Sequence, residues 1–192
     1  MKTRYFLPSG YLAGIVKYYQ ITEVPEGSGN MPGINILPSG YPELIFAIGS
    51  ASPKNRRTEN KKPPSSFIVG QISKSVELNL NGFLKFLCVK LNPTSLHAIF
   101  GIGSNYFTDK LTDLSVFENE KSFLLPDELA AAADDAEKIN VIESFLGQKL
   151  KKDVKTCRHI QSCVEKIVKS GGKMDYNLLT YNSGFSQSTL QR

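Results

Sequence analysis

The sequence predicts an α+β fold, with antiparallel strands first and helices after. Three observations carry this. Up to about residue 92, β-branched and aromatic residues recur in short runs bounded by Gly, Pro and Asn. From residue 126 onward, apolar residues recur at helical spacing. The charge is also divided: residues 1–148 hold 14 Lys and Arg against 15 Asp and Glu, whereas residues 149–192 hold nine against three. The whole net charge of +5 therefore comes from the last 44 residues. Such a basic segment fits either a phosphate-binding module or a solvated helical face.

The elements follow in order. Residues 15–22, IVKYYQIT, have strand composition. Ile34 and Ile36 alternate with polar neighbours before the turn Pro38-Ser39-Gly40. ELIFAIG, 43–49, is a short continuous apolar run, as expected of a strand covered on both faces. Residues 50–66 contain no apolar residue but Ala51 and read as a solvated loop. FIVGQI (67–72), the alternating Val76, Leu78 and Leu80, the turn signal Asn81-Gly82 and FLKFLCVKL (83–91) read together as an antiparallel meander. Pro93 opens a short helix that ends at Gly101. Pro126, Asp127 and Glu128 suit a helix N-terminus. Ile139, Ile142, Phe145, Leu146 and Leu150 form a helical stripe, whose apolar width suggests a homodimer contact. Ile160, Val164, Ile167 and Val168 line one face of a further helix, which Gly171-Gly172 stops. The expected boundary falls near 150–155, giving one unit over 1–152 and a second over 153–192.

Composition excludes several classes. Cys88, Cys157 and Cys163 are odd in number and have no spacing pattern, which favours a reducing, cytoplasmic setting over a disulfide scaffold. With His97 and His159 as the only histidines, no metal site and no cofactor are expected. There is no signal-peptide pattern and no apolar run long enough to span a membrane. No nucleophile motif, phosphate loop or convincing pair of carboxylates is present, so an enzyme is not expected.

The sharpest motif is MDYNLLTYNSGFSQSTLQR, 174–192. Asp175 suits an N-cap, and Met174 with Leu179 stands at hydrophobic-staple spacing. Gly184 allows positive φ, Ser186 suits the next N-cap, and Phe185 with Leu190 repeats the staple. Two short helices joined by such a turn make a helix-turn-helix. Ser188, Gln191 and Arg192, at i, i+3 and i+4, share the outer face of the second helix. Gln pairs with adenine and Arg with guanine in the major groove, and Ser186 at a helix start suits a phosphate. The same pattern also fits a plain helical hairpin with a polar face.

The stretch LLTYNSGFSQSTLQR resembles the first helix-turn-helix of AraC/XylS-type transcription regulators. Leu179, Gly184, Phe185, Ser186, Leu190, Gln191 and Arg192 match that pattern, while Thr180 and Ser183 stand where alanine and leucine are usual. ILPSGYPELIFAIG (36–49), FIVGQI and CVKLNPTSLHAIFG (88–101) resemble the N-terminal domain of one AraC subgroup. The resemblance implies a small antiparallel β-barrel or jelly-roll-like sensor domain with helices, then a partial helix-turn-helix that stops at Arg192, within its recognition helix. It implies DNA as partner through Ser186, Ser188, Gln191 and Arg192, a small-molecule effector, and dimerisation. Phe46, Ile48, Phe67, Val69, Phe86 and Cys88 would line the barrel, with Glu43 or Gln71 as polar anchors; the same residues also fit an ordinary core. The alternative is a cupin-like binding or enzymatic barrel without DNA binding, which the scarcity of histidine disfavours.

Overall fold

A computed structural model describes residues 1–25, 34–48, 54–55, 66–79, 84–117, 125–150, 155–184, 186 and 188. Among these, the strands are β1 (Lys2–Phe6), β2 (Val16–Val24), β3 (Ile34–Ile36), β4 (Glu43–Ile48), β5 (Lys54–Asn55), β6 (Ser66–Val69), β7 (Val76–Asn79), β8 (Leu84–Leu91) and β9 (Leu111–Asp113). The helices are α1 (Ser95–Phe100), α2 (Leu125–Ala131), α3 (Asp135–Lys149), α4 (Lys155–Lys169) and α5 (Tyr176–Ser183). The α+β class is as the sequence predicts. The turn signal Asn81-Gly82 and most of the polar segment 50–66 lie outside the described residues.

Six strands form one antiparallel sheet in the order β1-β2-β8-β4-β6-β9, and β3-β7-β5 form a second. The expected barrel is not closed: β1 and β9 end the large sheet and do not pair with each other. The reason lies in what covers the sheet. β4 is buried along its whole length, as its unbroken apolar run requires. One face packs Tyr19, Ile21, Leu44, Phe46, Leu87 and Val89 with Ile139, Ile142 and Leu146 of α3. The other packs Ile45, Ala47, Phe67, Val69 and Phe86, with Ile36 of the small sheet against them. With each face covered by a different layer, the sheet buries its apolar side chains without curling onto itself.

One other expectation needs correction. Residues 67–91 do not form a meander. β6 pairs with β4 and β9, β7 leaves to join β3 and β5, and β8 returns between β2 and β4. The break falls at Gly70–Ser75, where the backbone departs to meet the 103–110 loop: Gly70 N donates to Lys110 O at 3.2 Å, and Asp109 N to Gln71 O at 2.9 Å. The stripe on α3 faces the core. Ile139, Ile142 and Leu146 are buried in the main core, and Phe145 and Leu150 pack against it, so the stripe is spent within the chain.

Helix α3 is fixed at its start and at its middle. Asp134 accepts from Glu137 N at 2.8 Å, and the Glu137 carboxylate accepts from Ala133 N, a reciprocal cap. Further along, the Glu143 carboxylate accepts from Ser9 N at 2.8 Å and from the Tyr19 hydroxyl at 3.1 Å. Burial first, and then Glu143 beside it, hold the Tyr19 phenol protonated well above its ordinary range.

A four-charge network joins the sheet to the start of α3. Arg4 meets Glu23 at 2.9 Å and Asp135 at 2.6 Å, while Lys85 meets the same two carboxylates at 2.9 and 3.1 Å. Hydrogen bonds from Arg4 and then Lys85 take the Glu23 carboxyl down to about 2. At Asp135, burial pulls upward, but the bonds from Arg4 and Lys85 outweigh it and the carboxyl is lowered. Both carboxyls are depressed on folding, so their stabilisation is complete above the unfolded carboxylate range, near 4.5 for Glu23, and disappears as pH falls toward about 2. Urea titrations at stepped pH should show stability falling across that window. Lys85→Met should flatten the fall; an unchanged slope would remove the network from the account.

Candidate functional site

Antiparallel register brings a set of polar side chains together on the face of the large sheet opposite α3. Tyr18 of β2 lies across from Lys90 of β8, which lies across from Glu43 of β4. The next row on the same face is Gln20, Cys88 and Ile45. Alternation along each strand puts these residues on one side and Tyr19, Val89 and Leu44 on the other. The Glu43 carboxylate is buried. It accepts from the Lys90 ammonium on one oxygen and from the Cys88 thiol, at 3.0 Å, on the other. The Tyr5 and Tyr18 rings pack edge to face, 5.5 Å apart.

These contacts limit the chemistry available. Burial, and then the Glu43 carboxylate beside it, raise the Cys88 thiol well above its ordinary value, so Cys88 is held as a hydrogen-bond donor and not as a thiolate nucleophile. Burial also raises the Tyr18 phenol, with Lys90 opposing. What remains is a paired carboxylate and ammonium, a phenol and an amide, half-sunk beside an apolar layer. This composition offers hydrogen bonds and charge rather than a nucleophile for covalent attack. Among the described residues, no group of three His, Cys, Asp or Glu is placed to hold a metal ion, and no helix is long and apolar enough to cross a membrane.

The four residues expected to form a ligand site separate. Glu43 is in the cluster, and Phe86 is on the same face within the apolar layer. Phe46 is not. It is fully buried on the opposite face, in the core beneath the helices, because three positions along a strand reverse the side. Ile48 goes with it. Gln71 stands beyond the end of β6; its side-chain amide donates to Gly40 O at 3.2 Å, tying two loops together. The sequence reading missed Lys90, the ion-pair partner of Glu43. Only the β4–β8 register, which the sequence does not state, makes them neighbours.

The second candidate region is C-terminal. α4 ends in Gly171 and Gly172, both at positive φ, and α5 starts at Asp175, whose carboxylate accepts from Asn177 N at 2.7 Å and Leu178 N at 3.2 Å. α5 closes on Gly184 at φ 70°, the left-handed position expected there. Leu179 of α5 and Cys163 of α4 are buried, while Ile160, Ile167 and Val168 of α4 are exposed. The predicted apolar stripe is therefore displaced: Cys163 takes the buried place, and Val164 is half-buried. Ser186 and Ser188 are exposed, with hydroxyls 3.0 Å apart. Gln191 and Arg192 lie outside the described residues.

Fold and site thus define an α+β protein with an open antiparallel sheet and a buried, paired polar cluster on one face. A family model described as "Domain of unknown function (DUF6597)" matches residues 4–113, and the chain belongs to that family. The match ends at the last residue of β9, so it takes in the large sheet, except the first two residues of β1, and α1, and leaves out α2 to α5. No curated protein and no solved structure matches the chain significantly.

Proposed function

We propose that the chain is the sensory part of a sequence-specific DNA-binding transcription regulator, with residues 1–152 as the effector-sensing unit and 153–192 as the first portion of a helix-turn-helix domain. The observation that carries this reading is the local architecture at 174–184: a capped short helix, one inward leucine and a left-handed glycine, at the positions where the sequence resembles AraC/XylS-type regulators. The excess of Lys and Arg in 149–192 supports it, because phosphate contacts supply most of the affinity for DNA. Ser186, Ser188, Gln191 and Arg192 are the proposed DNA-facing residues. The face carrying Glu43, Lys90, Tyr18 and Gln20 is the proposed place for a small effector with polar groups, in a cytoplasmic protein.

The test is selection of binding sites from a random duplex pool by the full-length gene product, followed by anisotropy titrations at several salt concentrations. One enriched sequence is expected, together with a steep fall in affinity as salt rises. Arg192→Ala should relax preference at one base position and cost roughly 1–3 kcal/mol, the range for a bidentate base contact. A pool that stays flat through selection would sink the reading.

A further inference from the structure

Thr94 precedes α1 in the N-cap position, where a threonine hydroxyl ordinarily accepts from its own helix's free N–H groups. Here it makes no such bond. The hydroxyl instead donates to Gln161 Oε1 at 3.3 Å, on α4, 67 residues further along the chain. Thr94 is buried, and the Gln161 amide is held from its other side, its Nε2 donating to Glu165 Oε1 at 3.3 Å. The backbone around Thr94 is tied to the segment that leads into β2. Asn92 N donates to Ile15 O at 2.8 Å, and the fully buried Ser95 hydroxyl donates to the same carbonyl at 2.7 Å. One capping bond of α1 has been given up for a bond between the sheet body and the C-terminal helices.

We propose that Thr94 and Gln161 form a latch that holds the α4–α5 pair against the sheet body, and that opening this latch releases the pair to reorient. The latch is placed to respond to the polar cluster: Lys90 lies four residues before Thr94, on the strand that runs through Asn92 and Pro93 directly into α1. That regulatory meaning rests on the DNA-binding reading above; the latch itself does not.

Hydrogen exchange by mass spectrometry on the full chain tests it, with Thr94→Val as the variant, which removes the hydroxyl and keeps the shape. Peptides from 155–169 should exchange about threefold to tenfold faster, as loss of one net hydrogen bond implies. Peptides from α1 and α3 should be unmoved, because the hydroxyl caps nothing in α1. Gln161→Ala should reproduce the effect, and the double variant should add nothing beyond either single one. Faster exchange in α1 alone would make Thr94 an ordinary cap, and faster exchange everywhere would make it a general core residue. No change anywhere would mean the bond holds nothing. Each of these three overturns the proposal. If α4 loosens as expected while no form of the protein binds duplex DNA, the latch stands and the DNA-binding reading falls.

Discussion

Gly70→Ala should destabilise the protein by about 3 kcal/mol, more than any other single methyl group added at a described glycine. A Cβ at this position runs into the backbone carbonyl of Phe107 and stands 2.8 Å from the Phe107 Cβ. Phe107 has no room to retreat. It is fully buried, and its ring packs against Phe117 at 5.4 Å and Phe100 at 6.3 Å. Relief would have to come from lifting the 103–110 segment, which breaks the bonds from Gly70 N to Lys110 O and from Asp109 N to Gln71 O. Overpacking of roughly 1–3 kcal/mol plus about 1 kcal/mol for a lost hydrogen bond gives the expected size. The check is a urea midpoint shifted down with the slope unchanged. Gly147→Ala serves as the opposite control: its Cβ meets the Tyr11 ring at an ordinary 3.5 Å, in the last turn of α3, so it should stabilise by roughly 0.5 kcal/mol. If both substitutions proved neutral, the close approach at Gly70 would not be a feature of the folded protein.

These two glycines show where sequence reading reaches and where it stops. Gly147 falls in a run whose helical spacing is plain, whereas nothing near Gly70 announces that Phe107 will press against it. The strands with strong composition, β2, β4 and β8, are where the sequence places them, since burial demands their apolar runs. β1 and β9 were not legible. One is three polar residues followed by two aromatics at an edge, with no alternation to mark it, and the other is three residues long, too short for a periodic signal. Pairing was the larger gap. A turn signal at Asn81-Gly82 suggests that neighbours in sequence are neighbours in the sheet, yet β7 and β8 lie in different sheets. The candidate site suffered from the same gap: Glu43 stands out as a carboxylate at the head of an apolar strand, but Lys90 and Tyr18 become its company only through a register set by the whole sheet. The C-terminal caps were legible because capping is local, fixed by Asp175 and Gly184 within one turn of their own helix.

Lys90→Met should cost about 3 kcal/mol, and the companion change Glu43→Gln should recover most of it. Both members of the pair are nearly withdrawn from water, with side-chain exposures of 12% and 11%. Taking two charges out of water is expensive, and their attraction largely offsets that cost; removing one partner leaves the other buried without compensation, at roughly 3–5 kcal/mol. The lower end is expected here because the Cys88 thiol still donates to Glu43. In the double variant no charge remains to be desolvated, and a glutamine can still accept from the thiol, so stability should return to within about 1 kcal/mol of the parent. A double-mutant cycle by urea unfolding measures the coupling between the two sites, expected to be at least about 2 kcal/mol and larger by whatever Glu43→Gln costs alone. Simple addition of the two single effects would show that the pair is not coupled in the folded state. Recovery would carry a further consequence. A neutral pair that folds nearly as well would leave the charges without a net stabilising role, which is compatible with the proposed effector face.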